Sequence, residues 1–226
     1  MSSHVFRDGS QVDLMMMLAA REQRTQTQQQ LLASQPKASL LSATMNIPGP
    51  IKTSPMLCEV FEVVLNAVQA HLQLTEASIL AEHYYDKVTG PEYYLLLDLP
   101  ASQLKSAMIE VEESQAWGRL LDLDVLFVET QAQVDWVGVE DEELASEVKE
   151  AEVAEASKDK AQQAQLALAM TSIRAISRSD LNLPSRRCLI CQEDAKVCGR
   201  SRKHSVADMQ AAITHLIENE RENVND

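Results

Sequence analysis

Strand-like and helix-like segments alternate through the first half of the chain, and this order limits the possible folds more than any other feature. Residues 12–33 carry apolar side chains near helical spacing, and Pro55 begins a second helix whose apolar stripe continues to Leu72. The strand candidates are residues 38–47, 79–85, 93–99, 107–113 and 119–128, with a short turn or helix at 101–105. This interleaving favours an α+β fold, a mixed sheet with flanking helices, over a regular βαβ winding.

The charge of the chain changes sign along its length. The 226 residues carry a formal charge of −14, and residues 140–160 alone contain nine acids and three lysines. Residues 174–204 contain eight bases and three acids, a net charge of +5. A basic segment on an acidic protein suits a phosphate-bearing small ligand or an acidic protein partner.

Composition excludes several classes of protein. The net negative charge repels nucleic acid, and no apolar run approaches the length of a bilayer span. The N-terminal sequence lacks the apolar core of a secretory signal. We therefore expect a cytoplasmic protein that binds neither nucleic acid nor membrane and has no disulfide framework.

These changes in character divide the chain into four parts. We predict an N-terminal helical segment at 1–37 and an α+β core at 38–134 that carries the catalytic residues. An acidic, helix-prone, low-complexity insert follows at 135–172. Residues 173–226 form a basic, Cys-rich segment and a C-terminal helix at 205–219, which belong to the same domain as the core.

Two aspartates define the first candidate site. Asp122 and Asp124 lie in the sequence GRLLDLDVL, so on a strand both carboxylates project from one face. Adjacent carboxylates raise each other's pKa, and Mg²⁺, which prefers oxygen ligands, relieves this repulsion. Glu112, in the alternating segment IEVEES, is a candidate third metal ligand if the two strands are neighbours. The alternative is an edge strand that shows its polar face to water.

Two turns contain candidate phosphate-binding residues. Gly118 and Arg119 combine a flexible turn with a planar cation beside the carboxylates, which suits a metal-bound polyphosphate. Gly49 lies in the sequence PGPIK, where a backbone can approach a ligand closely, and Lys52 follows near a helix N-terminus. The PGPIK sequence is also typical of an ordinary turn.

The C-terminal segment contains a candidate metal site. Cys188, Cys191 and Cys198 fall within eleven residues, and His204 follows them. C-x₂-C with a third cysteine and a histidine is the donor set of a Cys₃His zinc site, although its second half, C-x₅-H, is irregular. The alternatives are buried free thiols or a catalytic cysteine. The fourth cysteine, Cys58, stands alone in an apolar-periodic stretch.

Taken together, these segments resemble the holo-citrate lyase synthase family, the apo-citrate lyase phosphoribosyl-dephospho-CoA transferases. The resemblance rests on PGPIK at 48–52, IEVEES and GRLLDLDVL within 109–126, and LPSRRCLICQEDAKVCGRSRKH at 183–204. GRLLDLDVL joined to the cysteine segment is specific, whereas neither half alone is. The likeness covers nearly the whole chain outside 135–172, where the insert is longer than the family pattern, and the first 37 residues match loosely.

The resemblance implies a nucleotidyltransferase-like fold and reaction. The donor would be triphosphoribosyl-dephospho-CoA, and the acceptor a serine of the acyl carrier (gamma) subunit of citrate lyase, with release of diphosphate. For this chemistry we assign Mg²⁺ to Asp122 and Asp124, and catalysis to both aspartates and Arg119. The candidate substrate-binding residues are Gly49, Lys52, Gly118, Arg186, Arg187 and Arg200. Arg200 and Arg202 also belong to a candidate docking face for an acidic carrier.

Two further hypotheses stay open at this point. The same chemistry could act on the carrier subunit of another lyase or of a decarboxylase. A non-catalytic, zinc-stabilised adaptor with an acidic partner-binding arm is the alternative from another class, and Mg²⁺-dependent activity separates it from an enzyme. A nucleic-acid-binding zinc module is disfavoured by the net charge and by the low aromatic content of 4%.

Overall fold

The computed structural model describes residues 4–75, 77–129 and 172–225 as an α+β fold. In chain order its elements are α1 (Leu14–Ser34), β1 (Ser39–Met45), α2 (Pro55–Leu72), β2 (Ser78–Tyr85), β3 (Glu92–Asp98), α3 (Ala101–Ser114), β4 (Leu121–Glu129), β5 (Ser172–Ile176), α4 (Ala195–Ser201) and α5 (Val206–Asn225). Apart from the strand predicted at 107–113, the predicted helices and strands of the first half are confirmed, as is the C-terminal helix. The predicted acidic insert lies almost wholly outside the described residues. No helix in the described part of the chain is long and apolar enough to cross a membrane.

Side-chain caps explain where the first two helices begin. Asp13 caps α1 by accepting a hydrogen bond from the Met16 N–H at 2.8 Å. Ser54 caps α2 in the same way, accepting the Leu57 N–H at 3.1 Å. Pro55 then occupies the first helical turn, where its missing N–H costs no intrahelical bond.

The five strands form one sheet in the order β2-β3-β1-β4-β5. β1 lies at the centre, where Ser42 is opposite Tyr94 of β3 on one side and Asp124 of β4 on the other. All pairings among the described strands are antiparallel, so the predicted mixed sheet is wrong. β3 and β4, which α3 joins, run in the same direction, but β1 separates them and no parallel pair forms.

Helices cover both faces of this sheet. On one face, α2, α3 and α5 pack against β1, β3 and β4 in a core that includes Leu41 and Leu123. On the other face, Leu32 of α1 belongs to a second, smaller core. Arg24 of α1 also forms an ion pair at 3.0 Å with Glu92, which is only 1% exposed. α1 is therefore attached to the sheet by both apolar and ionic contacts.

The segment predicted as a strand at 107–113 is instead the second half of α3. Its IEVEE sequence satisfies the alternation of a strand, which is why the pattern was misleading. Four buried residues of the longer segment share helical spacing and face the main core: Leu104, Ala107, Met108 and Val111. The turn predicted at 101–105 is the beginning of this helix. Glu112 therefore comes from a helix packed on the sheet and not from a neighbouring strand.

The outer edge of β4 is only partly covered. β5 pairs with residues 125–129, so on this edge no strand of the described chain lies beside residues 121–124, whose other side pairs with β1. Two side chains bind carbonyl groups along this edge instead. Lys105 Nζ donates to the Leu123 carbonyl at 2.9 Å, and Arg186 Nη1 donates to the Leu121 carbonyl at 3.3 Å. Charged side chains from α3 and the C-terminal segment thus meet where β5 ends.

Candidate active site

Asp122 and Asp124 project from the same face of β4, as predicted from their spacing. Leu123 between them is buried, whereas Asp122 is half-buried and Asp124 is exposed. Both aspartates line a cleft of about 530 Å³ at the uncovered edge of β4, together with Lys105 and Arg186. Although the Asp124 side chain remains in contact with solvent, the surrounding protein partly desolvates its carboxylate, which raises its pKa, and the negative charge of Asp122 raises that pKa further.

Lys105 is a site residue that the sequence analysis missed. It is only 6% exposed, and burial lowers the pKa of its ammonium group, although Glu112 and Asp124 act in the opposite direction. Its position beside Leu104 near the apolar face of α3 is the signal that could have revealed it. That signal appears only when residues 101–114 are recognised as one helix.

Glu112 binds two arginines from the C-terminal segment. Its side chain is 2% exposed and forms ion pairs with Arg178, at 3.3 Å, and with Arg186. Arg186 also donates to Asp122 Oδ1 at 3.2 Å, so its guanidinium group connects Glu112 to the aspartate pair. The predicted strand that would have brought Glu112 beside the aspartates is a helix, so that expected neighbourhood is wrong. The Glu112 carboxylate binds both arginines, and its binding to Mg²⁺ stays a prediction.

Gly118 and Arg119 lie in a 3₁₀ turn, Gly118–Leu120, between α3 and β4. Arg119 is exposed and its Nη2 donates to the carbonyl oxygen of Arg187. Gly118 is buried, and a Cβ at this position would lie 2.8 Å from Glu112 Cα. The structure thus shows that Gly118 is closely packed and that Arg119 is an exposed cation. That Gly118 binds substrate stays a prediction.

We expect Gly118→Ala to lower the free energy of unfolding by about 2 kcal/mol, because the added methyl group meets backbone atoms of α3. Gly199→Ala in α4 is the matched control, since an added Cβ there meets no atom within 4 Å. The control should be neutral or stabilising because alanine favours a helix. Urea unfolding followed by circular dichroism measures both variants. Equal stability of the two would contradict the close packing at Gly118.

The PGPIK loop stabilises itself through Lys52. Its Nζ donates to the Ile47 carbonyl at 2.6 Å, and burial lowers its pKa. Gly49 has a φ of +93°, a conformation that favours glycine. Gln210 of α5 donates to the Pro48 carbonyl at 3.2 Å, which fixes the loop against that helix. The assignments of Gly49 and Lys52 to substrate binding stay predictions, and neither residue lines the cleft that contains Asp122 and Asp124 or the larger cleft that adjoins it.

A second cleft, of about 690 Å³, adjoins the first, since Arg186 and Asn46 line both. Asn46 also donates from Nδ2 to Asp122 Oδ1 at 3.4 Å. The walls of the second cleft combine apolar side chains with cations, including Leu120, Met209, Ile213, Arg119, Arg187 and Arg202. Together the two clefts suit an extended ligand that carries several phosphates and a longer organic portion.

The four residues of the predicted zinc site lie together beside the second cleft. The ligand atoms of Cys188, Cys191, Cys198 and His204 are all within 4.8 Å of one another. His204 Nε2 is 3.3 Å from Cys191 Sγ. All three cysteines are free thiols, as is Cys58. Residues that are up to sixteen positions apart in the sequence thus form one compact donor set.

Comparison with known proteins decides the family. The sequence matches the family model described as apo-citrate lyase phosphoribosyl-dephospho-CoA transferase over residues 12–142 and 139–220. This chain belongs to that family. A relative from Streptococcus pyogenes serotype M5 (strain Manfredo), named "Probable apo-citrate lyase phosphoribosyl-dephospho-CoA transferase", is 38% identical over 96% of this chain and 91% of its own length.

Two further relatives with lower identity also match more than nine tenths of this chain. A "Probable apo-citrate lyase phosphoribosyl-dephospho-CoA transferase" from Vibrio cholerae serotype O1 (strain M66-2) is 30% identical over 91% of each chain. "Protein CitXG" from Leuconostoc mesenteroides subsp. cremoris is 33% identical over 95% of this chain but only 37% of its own length. The two parts of the family match meet at 139–142, inside the acidic insert. The resemblance found in the sequence motifs is therefore confirmed.

Proposed function

We propose that this chain attaches phosphoribosyl-dephospho-CoA to a serine of the acyl carrier (gamma) subunit of apo-citrate lyase. The donor is triphosphoribosyl-dephospho-CoA, and the reaction is of the nucleotidyltransferase type. The serine oxygen forms a bond to the phosphorus nearest the ribose, the bond to the terminal diphosphate breaks, and diphosphate leaves. The serine proton passes to a carboxylate. The observation that carries this proposal is that Arg186 connects the acidic cleft to the basic and apolar cleft.

Asp122 and Asp124 would hold the Mg²⁺ ion. They fit a divalent cation because both carboxylates project from one face of β4 into the same cleft. Desolvation first, and the negative charge of Asp122 second, raise the pKa of Asp124, and a bound cation offsets both effects. Bound Mg²⁺ would neutralise negative charge on the reacting phosphate oxygens. A structural Zn²⁺ ion would occupy a different site from the Mg²⁺ ion, because the thiolate and imidazole donors of the cysteine cluster lie apart from the oxygen donors of the two aspartates.

The remaining roles follow from the hydrogen bonds of the cleft. Arg186 and Asn46 hold Asp122, whereas within the described residues no side chain donates to Asp124. We assign Asp124 to orienting the serine hydroxyl and accepting its proton. Arg119 and Arg187 are exposed cations in the second cleft, where they would bind the diphosphate that leaves.

The decisive experiment is the intact mass of the apo carrier subunit after incubation with this protein, Mg²⁺ and triphosphoribosyl-dephospho-CoA. The expected result is a mass gain of one phosphoribosyl-dephospho-CoA unit that requires the carrier serine and Mg²⁺. Carrier binding without a mass gain would favour a non-catalytic adaptor. Modification of another acyl carrier in preference to the citrate lyase subunit would place the same chemistry on a different partner.

The carrier docks, in this proposal, on the exposed cations of α4 and the turn after it. Arg200 and Arg202 are both exposed, and acyl carrier proteins are generally acidic. We expect Arg200→Glu/Arg202→Glu to weaken carrier binding about tenfold at low salt, with a smaller difference at high salt because mobile ions screen the charges. Isothermal titration with the apo carrier at two salt concentrations measures this effect.

Lys37→Glu is the matched control for that surface. Lys37 is an exposed cation in the turn between α1 and β1, away from the C-terminal segment. Its charge reversal changes the net charge without changing the proposed docking face, so carrier affinity should stay close to that of the wild type. An Arg200→Glu/Arg202→Glu variant with unchanged affinity and unchanged salt dependence would exclude this face as the carrier site.

A further inference from the structure

Residues 177–212 adopt a defined conformation with almost no apolar core of their own. In this stretch only two side chains are buried, those of Cys188 and Cys198. Leu189 packs in part against the main core. Small segments that bury so little apolar surface need another source of stability, and a bound metal is a common one.

A short hairpin brings the first two cysteines together. The Cys188 N–H donates to the Glu193 carbonyl at 2.7 Å, and the Ala195 N–H donates to the Arg186 carbonyl at 2.9 Å. Cys191 lies in the loop that this hairpin closes. The hairpin thus holds the two sulfur atoms of the C-x₂-C pair on one side of the loop.

The following helix supplies the third cysteine. Asp194 caps α4 by accepting hydrogen bonds from the N–H groups of Lys196 and Val197. Cys198 lies in this helix, and Arg202 ends it in the left-handed conformation, with a φ of 50°. The chain then turns so that His204 reaches Cys191. Caps at both ends of α4 therefore place the last two donors beside the hairpin.

We propose that Cys188, Cys191, Cys198 and His204 bind one structural Zn²⁺ ion. Tetrahedral zinc with Zn–S bonds of about 2.3 Å and Zn–N bonds of about 2.0 Å places its ligand atoms roughly 3.5–4 Å apart. The four donor atoms, all within 4.8 Å of one another, reach that geometry with small side-chain movements. Thiolate ligands select zinc over magnesium or calcium, and four protein ligands leave no open position for catalysis.

The zinc site holds the arginines of the candidate active site in place. Arg186 and Arg187 directly precede Cys188 and belong to the same hairpin. Arg186 then extends to Glu112 and Asp122. The zinc site can be tested independently of the proposed reaction, because its metal content is measured without substrate.

The test is the metal content of the full-length protein purified under reducing conditions. We expect one zinc per chain. Cys198→Ser and His204→Ala should each reduce bound zinc about tenfold or more, whereas Cys58→Ser should retain it. Cys58 is the matched control because it lies in α2 and contacts Thr53 Oγ1 at 3.1 Å, outside the cluster. In addition, Co²⁺ added to the zinc-depleted wild type should give the visible absorption bands of tetrahedral cobalt with thiolate ligands.

A second measurement uses the wild-type protein, so its result does not depend on whether the variants fold. Zinc removal from the wild-type protein by a chelator should expose residues 177–212 to trypsin, and added zinc should restore protection. A zinc-free native protein, a disulfide between two of the three cysteines, or iron in place of zinc would each overturn the proposal. Zinc loss in Cys58→Ser equal to that in Cys198→Ser would overturn it as well.

Discussion

Asp124→Asn is expected to lower kcat for carrier modification by about a thousandfold, because it removes the carboxylate proposed to hold Mg²⁺ at the reacting phosphates and to accept the serine proton. Asparagine preserves the size of the side chain but neither binds Mg²⁺ as strongly nor accepts the serine proton. Initial rates of the carrier mass gain at saturating Mg²⁺ measure the effect. Wild-type transfer by this variant under those conditions would show that Asp124 is not a catalytic residue.

The stability of Asp124→Asn distinguishes a catalytic defect from a folding defect. The fold raises the pKa of Asp124, so near neutral pH its ionised form is less favourable in the folded protein than in the unfolded chain. Without metal, the variant should therefore be at least as stable as the wild type in thermal unfolding. Asp98→Asn is the matched control, since Asp98 is exposed and lies at the opposite end of the sheet. Its activity should be unchanged.

Arg186→Met is expected to lower the free energy of unfolding by about 3 kcal/mol, because it leaves the buried carboxylate of Glu112 with one cation fewer. It should also remove most of the transfer activity, because Asp122 loses its arginine partner. Urea unfolding measures the first effect, and carrier modification measures the second.

The double variant Glu112→Gln/Arg186→Met separates these two effects. Removing the buried charge should recover most of the lost stability, whereas the activity should stay low because Asp122 still lacks Arg186. Arg174→Met is the matched control, since Arg174 is 45% exposed and pairs at the surface with Asp180 and, at 3.6 Å, with Glu129. An exposed ion pair contributes less than about 1 kcal/mol. A double variant no more stable than Arg186→Met would contradict the coupling of Glu112 to Arg186.

Local patterns were sufficient for the residues whose roles depend on near neighbours in the sequence. The alternation of Asp122 and Asp124 with buried leucines indicated a strand with both carboxylates on one face, and β4 has that arrangement. The spacing of three cysteines and a histidine indicated a common donor set, which the structure brings together. In both cases the chain between the residues is short, so local conformation largely decides their proximity.

Patterns were insufficient where two periodicities coincided. Residues 107–113 satisfy the alternation of a strand and also the apolar stripe of a helix, and burial of that stripe against the sheet decided in favour of α3. This error concealed Lys105 and the ion pairs of Glu112 with arginine. The parallel or antiparallel character of the sheet was equally hidden, because it depends on which strand lies between β3 and β4.

The sequence by itself determined most of the helices and strands, the family, and the kinds of donor atom at each candidate site. Only the tertiary structure decided that Arg186 joins Glu112 to Asp122 and lies between two clefts. Arg186 and Glu112 are 74 positions apart, and their contact requires α3 to pack on the sheet while the C-terminal segment crosses the uncovered edge of β4. Local periodicity describes which face of an element is buried, but it carries no information about which distant charge meets that face.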